Sequence, residues 1–351
     1  MNEIVFFSVF MIVILAILLV DLVVIGRNSH TLSFREALGW TLVWVALSLS
    51  FYILLRFSGH KLHDFQDIQS IQANIEKYRH DISIEGLSFT EAIKLYNHNL
   101  SLEYLTGYII EYSLSVDNIF VILMIFLSFN IPTRLYKKVL FWGILGALVF
   151  RFIFIFVASA LIQRFDWVLY IFGGFLLIIA IKMGWEFLSG RESQKVDTEH
   201  HPMVRFLSKI FLIKKKDETD RFWVREKGKL YITPLFIVLM VVEFSDVVFA
   251  VDSVPAVFSV TRDPYIVFFS NIFAILGLRS LFFLVSDMVN RFRFLKLGLA
   301  FLLGFVGLKM LAHFPLTTNE SLIIIISILV FFILLSVLFP KKLEIKKTNS
   351  T

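Results

Sequence analysis

Two acidic phrases inside long apolar stretches hold the residues of this sequence that are best suited to chemistry. The first runs from Glu111 to Asp117 and the second from Asp246 to Asp252, with five residues between the acids in each. Hard oxygen ligands of this kind favour Mg²⁺, Ca²⁺ or Mn²⁺ over Zn²⁺ or Cu²⁺. An ionised side chain within a bilayer costs roughly 2.5 to 3.5 kcal/mol. The acids therefore predict a cation site rather than ordinary packing.

The candidate site is rich in oxygen ligands and carries an excess of negative charge. The predicted metal ligands are Glu111, Asp117, Asn118, Asp246 and Asp252, and the predicted supporting residues are Ser113, Glu243, Ser253, Arg151 and Arg279. The four acids of the two phrases outnumber the two arginines, and one divalent cation would neutralise the excess. Buried salt bridges that lock the helices are the alternative interpretation, and the surplus of acids argues against it.

The elements that must position these acids are membrane-spanning helices. The chain has 351 residues, is 58% hydrophobic, and contains 40 Phe and no Cys. The lack of Cys excludes disulfide frameworks, Fe–S clusters and thiol catalysis. Runs long enough to cross roughly 30 Å of hydrocarbon lie at 4–25, 38–57, 105–129, 138–162, 167–188, 232–258, 266–288, 294–313 and 321–339. The sequence thus predicts an all-α integral membrane protein with nine transmembrane helices.

The similarity of the acidic phrases extends into a repeat. Arg151 in the fourth span matches Arg279 in the seventh, and the fifth and eighth spans both lead to a Lys-Met pair. Each unit holds three spans, and an odd number of spans makes the second unit enter the membrane from the opposite side. Spans 3–5 and 6–8 are therefore predicted to form an inverted repeat, an architecture in which transporters bind substrate near the midplane. A purely structural duplication is the other interpretation.

The spacing of the acids constrains how they bind an ion. Residues six apart on a straight helix lie about 9 Å apart along the axis and roughly 120° apart around it, so Glu111 and Asp117 cannot chelate one ion together. Either the helices are broken, or the two units share each ion. Pro255 favours a break in the sixth span, because proline frees the carbonyl of Val251.

Basic residues set the predicted orientation. Lys and Arg are concentrated in the loop after the fifth span and in the C-terminal tail. The positive-inside rule places both in the cytoplasm, with the N-terminus and the 58–102 segment outside. The predicted divisions are 1–57 (two N-terminal helices), 58–104 (external insertion), 105–188 (first repeat unit), 189–231 (cytoplasmic loop), 232–313 (second repeat unit), and 314–351 (last helix and basic tail).

These motifs resemble the TerC family of integral membrane proteins across residues 21–313. The phrases that carry the resemblance are YLTGY at 104–108, EYSLSVDNIFV at 111–121, FWVRE at 222–226, LYITP at 230–234, VEFSDVVFAVDSVPA at 242–256 and SNIFAILGLRS at 270–280. Two departures are the 58–102 insertion, which is longer than the family pattern, and Ser245, where Thr is commoner. Neither departure involves a predicted ligand.

The resemblance implies a function that the residues alone leave broader. It implies a transporter of the bacterial plasma (inner) membrane, in the group that includes lysine exporters, linked by name to tellurium resistance and also to manganese export. It further implies that the five predicted ligands are the family's acidic site. The leading prediction is export of Mn²⁺ by alternating access, with proton coupling left open. The choice of Mn²⁺ rests on the resemblance, whereas the residues indicate a hard divalent cation.

Two other functions remain open from the sequence. One is a membrane scaffold or chaperone for metal loading or stress response, which docks partners on the basic loop without any flux. The other is a Ca²⁺ or Mg²⁺ carrier on the same fold. The sequence predicts no enzyme, no resident cofactor and no nucleic-acid partner. Its expected partners are the transported ion and the lipid bilayer, with a homo-oligomer or a cytoplasmic protein at the basic loop left open.

Overall fold

The computed structural model describes residues 3–26, 33–129, 131–165, 167–189, 202–213, 220–226, 229–286, 294–312 and 316–339. Its helices are α1 (Glu3–Gly26), α2 (Phe34–Ser58), α3 (Ile68–Tyr78), α4 (Phe89–Ser128), α5 (Thr133–Arg164), α6 (Trp167–Leu188), α7 (Pro202–Ile210), α8 (Pro234–Phe258), α9 (Pro264–Ser286), α10 (Leu295–Ala312) and α11 (Thr318–Leu338). A 3₁₀ turn at Gly59–Leu62 follows α2, and the strands are β1 (Leu212–Ile213), β2 (Trp223–Glu226) and β3 (Lys229–Ile232).

The helical membrane architecture is confirmed. In the part of the chain that the structure describes, seven helices are long and apolar enough to cross a membrane, namely α2, α4, α5, α6, α8, α9 and α11. The first and eighth predicted spans correspond to α1 and α10. Their apolar segments, Val5–Ile17 and Leu297–Ala312, are shorter. The count of nine spans and the inverted repeat stay predictions.

The helices of each predicted three-span unit pack mainly against helices of the other unit, and less against helices of their own unit. α6 packs most extensively against α10, and α4 packs against α9. α5 lies against both α8 and α9, and α4 also lies against α8. Contacts within a unit, such as those between α5 and α6 or between α8 and α9, are sparse. The central helix is α9, which is buried throughout its apolar segment.

Glycines let α6 and α10 approach closely. A Cβ atom added at Gly307 of α10 would lie 2.9 Å from the carbonyl oxygen of Gly173 on α6. Small residues let membrane helices approach closely, and van der Waals packing then holds them together. Gly173 and Gly307 are therefore packing positions between α6 and α10.

The fourth helix is much longer than a bilayer requires. α4 has 40 residues and spans about 60 Å at 1.5 Å per residue. It begins at a capping box in which Ser88 accepts from the backbone N–H of Glu91 and the Glu91 side chain accepts from Ser88. α4 thus continues without interruption across residues 104 and 105, where the sequence placed the end of the external insertion.

The break predicted at Pro255 is wrong. α8 runs from Pro234 to Phe258 and contains Pro255 in its last turn, where the lost N–H removes one hydrogen bond close to the helix end. α4 is also continuous through Glu111 and Asp117. Sharing of an ion between the two units is therefore the geometry compatible with these helices.

A small sheet that the sequence analysis did not predict precedes α8. β3 pairs antiparallel with β2 and parallel with β1. Thr233 then caps α8 by accepting from the N–H of Phe236, with Pro234 in the first turn, where proline's missing N–H costs nothing. The sheet joins the loop after α6 to the start of the second unit.

Candidate cation site

Arg151 on α5 is the centre of a buried polar cluster. Its guanidinium forms an ion pair with Glu111 of α4, and Nη1 also donates to Oδ1 of Asn271 on α9 at 2.9 Å. Its Nη2 lies 3.5 Å from Oδ1 of Asp246 on α8. Arg151, Glu111 and Asn271 are at most 2% exposed. A single cation therefore joins four helices and both predicted repeat units.

The cluster keeps unused capacity to bind positive charge. Among the described residues, hydrogen-bond partners are lacking for three buried carboxyl oxygens in and beside the cluster, namely Glu111 Oε2, Asp246 Oδ2 and Glu243 Oε2, and for Ser253 Oγ two turns further along α8. An unsatisfied buried polar group costs about 1–3 kcal/mol, and more when it is charged. Carboxyl oxygens are the ligands that a hard cation prefers.

Glu243 is accommodated beside the cluster by a glycine. It lies one turn before Asp246 on α8, and its carboxyl group packs directly against Gly146 of α5. A Cβ atom at position 146 would overlap the carboxyl group. The absence of a side chain on α5 therefore creates the space that Glu243 occupies.

The structure assembles some of the predicted site residues. Glu111, Asp246 and Arg151 are brought together, and Asn118 and Ser253 are buried on α4 and α8.

Ser113 is half-buried, and its hydroxyl donates to the carbonyl oxygen of Ile109 on its own helix at 2.6 Å. Arg279 is buried on α9. The predicted ligands Asp117 and Asp252 lie on continuous helices, and their side chains are outside the described part of the structure.

Sequence reasoning missed the role of Asn271. Its Oδ1 accepts from Arg151 while its Nδ2 donates to the carbonyl oxygen of Val267 at 2.9 Å, so both ends of the amide are used. The only signal in the sequence was an amide residue within the apolar run of α9. Its partner lies 120 residues away in sequence, and spacing gives no indication of such a contact.

Glu111 and Asp246 are paired with a guanidinium in this arrangement. Within the described side chains, no group of three acids or histidines lies close enough to hold a metal ion. The donor set fits a hard cation chemically, because it supplies carboxylate and amide oxygens. Binding of a metal ion at Glu111 and Asp246 would require Arg151 to move.

A second buried polar cluster ties the 58–104 segment to the membrane helices. His63 pairs with Asp263, between α8 and α9, at 2.9 Å, and His80 pairs with Glu103 of α4 at 2.7 Å. Thr261 also donates to Glu103 at 2.6 Å. These contacts place the insertion and the α8–α9 connection on one side of the bundle. Nothing in the local sequence of this segment predicts the cluster.

Opposite charges control the titration of this second cluster. Burial alone lowers the pKa of His80, but the adjacent Glu103 carboxylate, with a smaller effect of Asp263, raises it above its ordinary value of 6.5. Burial alone raises the pKa of Asp263, but His63, His80 and the N–H of Tyr265 together lower it. The cluster is therefore stabilised by charge when His80 is protonated.

The fold and the central cluster define an α-helical, multi-pass integral membrane protein with an ionised site between its helices. The model of the "Integral membrane protein TerC family" matches residues 96–348. This chain belongs to the TerC family, as its motifs predicted.

Bacterial relatives align with most of the chain. A candidate membrane-bound redox modulator of Escherichia coli K12, called Alx, is 40% identical over 329 residues, which is 92% of each chain. Uncharacterized membrane proteins of Myxococcus xanthus and Rickettsia felis are 39% and 34% identical, covering 85% and 94% of this chain and 80% and 96% of their own. No solved structure is significantly similar.

Proposed function

We propose that this protein exports a hard divalent cation, Mn²⁺ in the first instance, across the bacterial plasma membrane. One observation carries the proposal: Glu111 and Asp246, from the two predicted repeat units, converge on a single positive charge inside the helical bundle. Acids are costly in lipid and mark ion pathways when they face a bundle interior. An ion held between two units can be released to either side when the units rock against each other.

The helix packing supports an inverted repeat. A pseudo-twofold axis would relate α4 to α8, α5 to α9 and α6 to α10. This axis requires the packing of α4 on α9 to recur as the packing of α5 on α8. It also brings equivalent helices that lie next to it into contact, as α4 with α8, α5 with α9 and α6 with α10. All of these contacts are present. The proposal therefore treats the interface between units as the place where access alternates.

Contacts at the two ends of the bundle support the proposed topology. His63 binds Asp263 on one side, where Phe7 of α1 also meets Tyr265. On the other side Arg134, at the start of α5, lies 3.4 Å from Asp220. These pairs agree with nine spans that start outside and end in the cytoplasm.

The proposal is tested with purified protein in liposomes that contain a Mn²⁺-sensitive dye. Glu111→Gln and Asp246→Asn are expected to reduce Mn²⁺ flux at least about tenfold, since loss of a liganding charge costs more than 1.4 kcal/mol, the equivalent of tenfold. Asp117→Asn and Asp252→Asn test the remaining predicted ligands in the same way. The matched control is Glu85→Gln, which neutralises an exposed acid. Full flux in all four site variants would refute the site.

A scaffold that acts without flux is the second candidate, favoured by the name of the Escherichia coli relative as a redox modulator. This chain has no Cys, so a redox effect would run through a metal ion or a partner rather than through a thiol of its own. Flux by the wild-type protein in liposomes without other proteins argues against the scaffold. Competition by Ca²⁺ and Mg²⁺ in the same assay identifies the preferred ion.

A further inference from the structure

Arg151 occupies the position between the two acids where the proposed function needs an ion. We infer that Arg151 is a tethered cation: it neutralises Glu111 and Asp246 in the metal-free protein and is displaced when a divalent cation binds them. The inference rests on the proposed function, and it makes Arg151 a positioning residue that determines when the site accepts a metal ion.

The contacts of Arg151 are unequal, which allows a stepwise exchange. The ion pair with Glu111 is close, whereas Nη2 lies 3.5 Å from Asp246, beyond the 2.7–2.9 Å of a strong charged hydrogen bond. The Nε atom of Arg151 has no hydrogen-bond partner among the described residues. The ion pair with Asp246 is therefore weaker than that with Glu111, and an incoming ion would take the Asp246 carboxylate first.

The buried acids still have oxygens free for the incoming ion. Glu111 Oε2 and Asp246 Oδ2 lack hydrogen-bond partners among the described residues, so a metal can begin to bind before the guanidinium leaves. Asn271 holds Nη1 at 2.9 Å through a neutral oxygen. This contact can keep the guanidinium nearby after the carboxylates have turned to the metal.

Charge explains why the exchange would favour divalent ions. A monovalent ion that replaces the guanidinium exchanges one positive charge for another and must give up its own hydration. A divalent ion gives up more hydration, but it brings twice the charge to the same two carboxylates, and the added attraction is large where the surroundings screen little. Arg151 would therefore reject monovalent ions while yielding to Mn²⁺.

The test measures Mn²⁺ binding to the full chain in detergent micelles from the electron paramagnetic resonance signal of free Mn²⁺. Arg151→Gln removes the competing cation and is expected to lower the Kd at least about tenfold. Arg151→Lys keeps the charge without the planar fork that bridges acceptors, and an intermediate Kd is expected. Arg134→Gln, which breaks an exposed pair with Asp220, is the matched control and should leave the Kd unchanged.

Thermal unfolding with and without Mn²⁺ separates the exchange from a purely structural role. Without metal, Arg151→Gln should unfold at a lower temperature than the wild type, because two buried carboxylates lose their partner. Saturating Mn²⁺ should raise its Tm by more than it raises that of the wild type. If Arg151 only holds the helices together, Arg151→Gln should lower the Tm, and Mn²⁺ should raise the Tm of the variant no more than that of the wild type.

The outcomes separate this inference from the proposed function. If the wild type binds Mn²⁺ and Arg151→Gln binds it equally or more weakly, the inference is overturned while the proposed function stands. If neither protein binds a divalent cation, both are overturned. If Arg151→Gln does not fold, Arg151→Lys decides: tighter binding than wild type supports the exchange, and equal or weaker binding overturns it.

Discussion

The approach of α6 to α10 allows a sharp test, because two adjacent glycines face different surroundings. At Gly173 an added Cβ would lie 2.9 Å from Cβ of Met310 and 3.1 Å from both the carbonyl oxygen of Gly307 and Cγ of Leu311. At Gly174 it would meet no described atom within 4 Å. Gly173→Ala and Gly174→Ala therefore make the same chemical change inside and outside one interface.

The expected difference follows from van der Waals distances. Favourable contacts between carbon atoms lie at about 3.5–4.0 Å, so Gly173→Ala must separate the helices locally by roughly 0.5–1 Å. Overpacking of this size typically costs about 1–3 kcal/mol. Both variants gain the same helix propensity, about 1 kcal/mol from glycine to alanine. The difference between them isolates the packing cost, with Gly173→Ala the less stable by about 1–3 kcal/mol.

The assay is reversible unfolding in mixed micelles, with SDS as denaturant and the loss of helical circular dichroism as the signal. The free energy of unfolding of each variant is compared with that of the wild type. Stabilities that agree within about 0.5 kcal/mol would refute the described packing of α6 on α10. Since these helices are equivalent in the proposed inverted repeat, that result would also remove one of its supports.

Two further predictions concern the buried polar groups. His80→Gln should reduce the Tm most at pH below 6.5. The pKa of His80 is raised in the folded protein, so its charged pair with Glu103 stabilises the folded state at low pH, and this stabilisation is lost as the pH rises through that pKa. A Tm difference between variant and wild type that stays constant up to pH 9 would contradict this. Gly146→Ala should displace the carboxyl group of Glu243, and because this group ends a flexible side chain the loss should be about 1 kcal/mol, the lower end of the overpacking range. Gly143→Ala, whose Cβ would only touch a side chain at 3.4 Å, should have little effect, and equal losses in the two variants would contradict the assigned contact.

Most helices could be predicted because their signal is local. A run of apolar residues long enough to cross hydrocarbon has few alternatives to a membrane helix, since every backbone polar group must be satisfied within the segment. α5 and α6 accordingly follow the fourth and fifth predicted spans. The same local reasoning overestimated the effect of Pro255 on α8. A proline in the last turn of a helix removes one hydrogen bond near the helix end and leaves the rest of the helix intact.

Contacts between distant residues had no comparable signal. His63 and Asp263 are 200 residues apart, and Arg151 and Asn271 are 120 apart, so no spacing rule connects them. The polar character of the 58–102 segment suggested an external insertion but gave no indication that its histidines are buried against acids. Gly146 likewise carries no sign in sequence that it makes room for Glu243.

The sequence by itself determined the membrane class, the family and the acids that could bind a cation, because apolar length and charge inside a span are properties of short segments. The tertiary structure alone decided which charges meet. Arg151 could have paired only with Glu111 of its own unit, and it also contacts Asp246 of the other unit. That choice depends on how whole helices pack across the bundle, where burial strengthens each charge contact and sequence distance has no bearing.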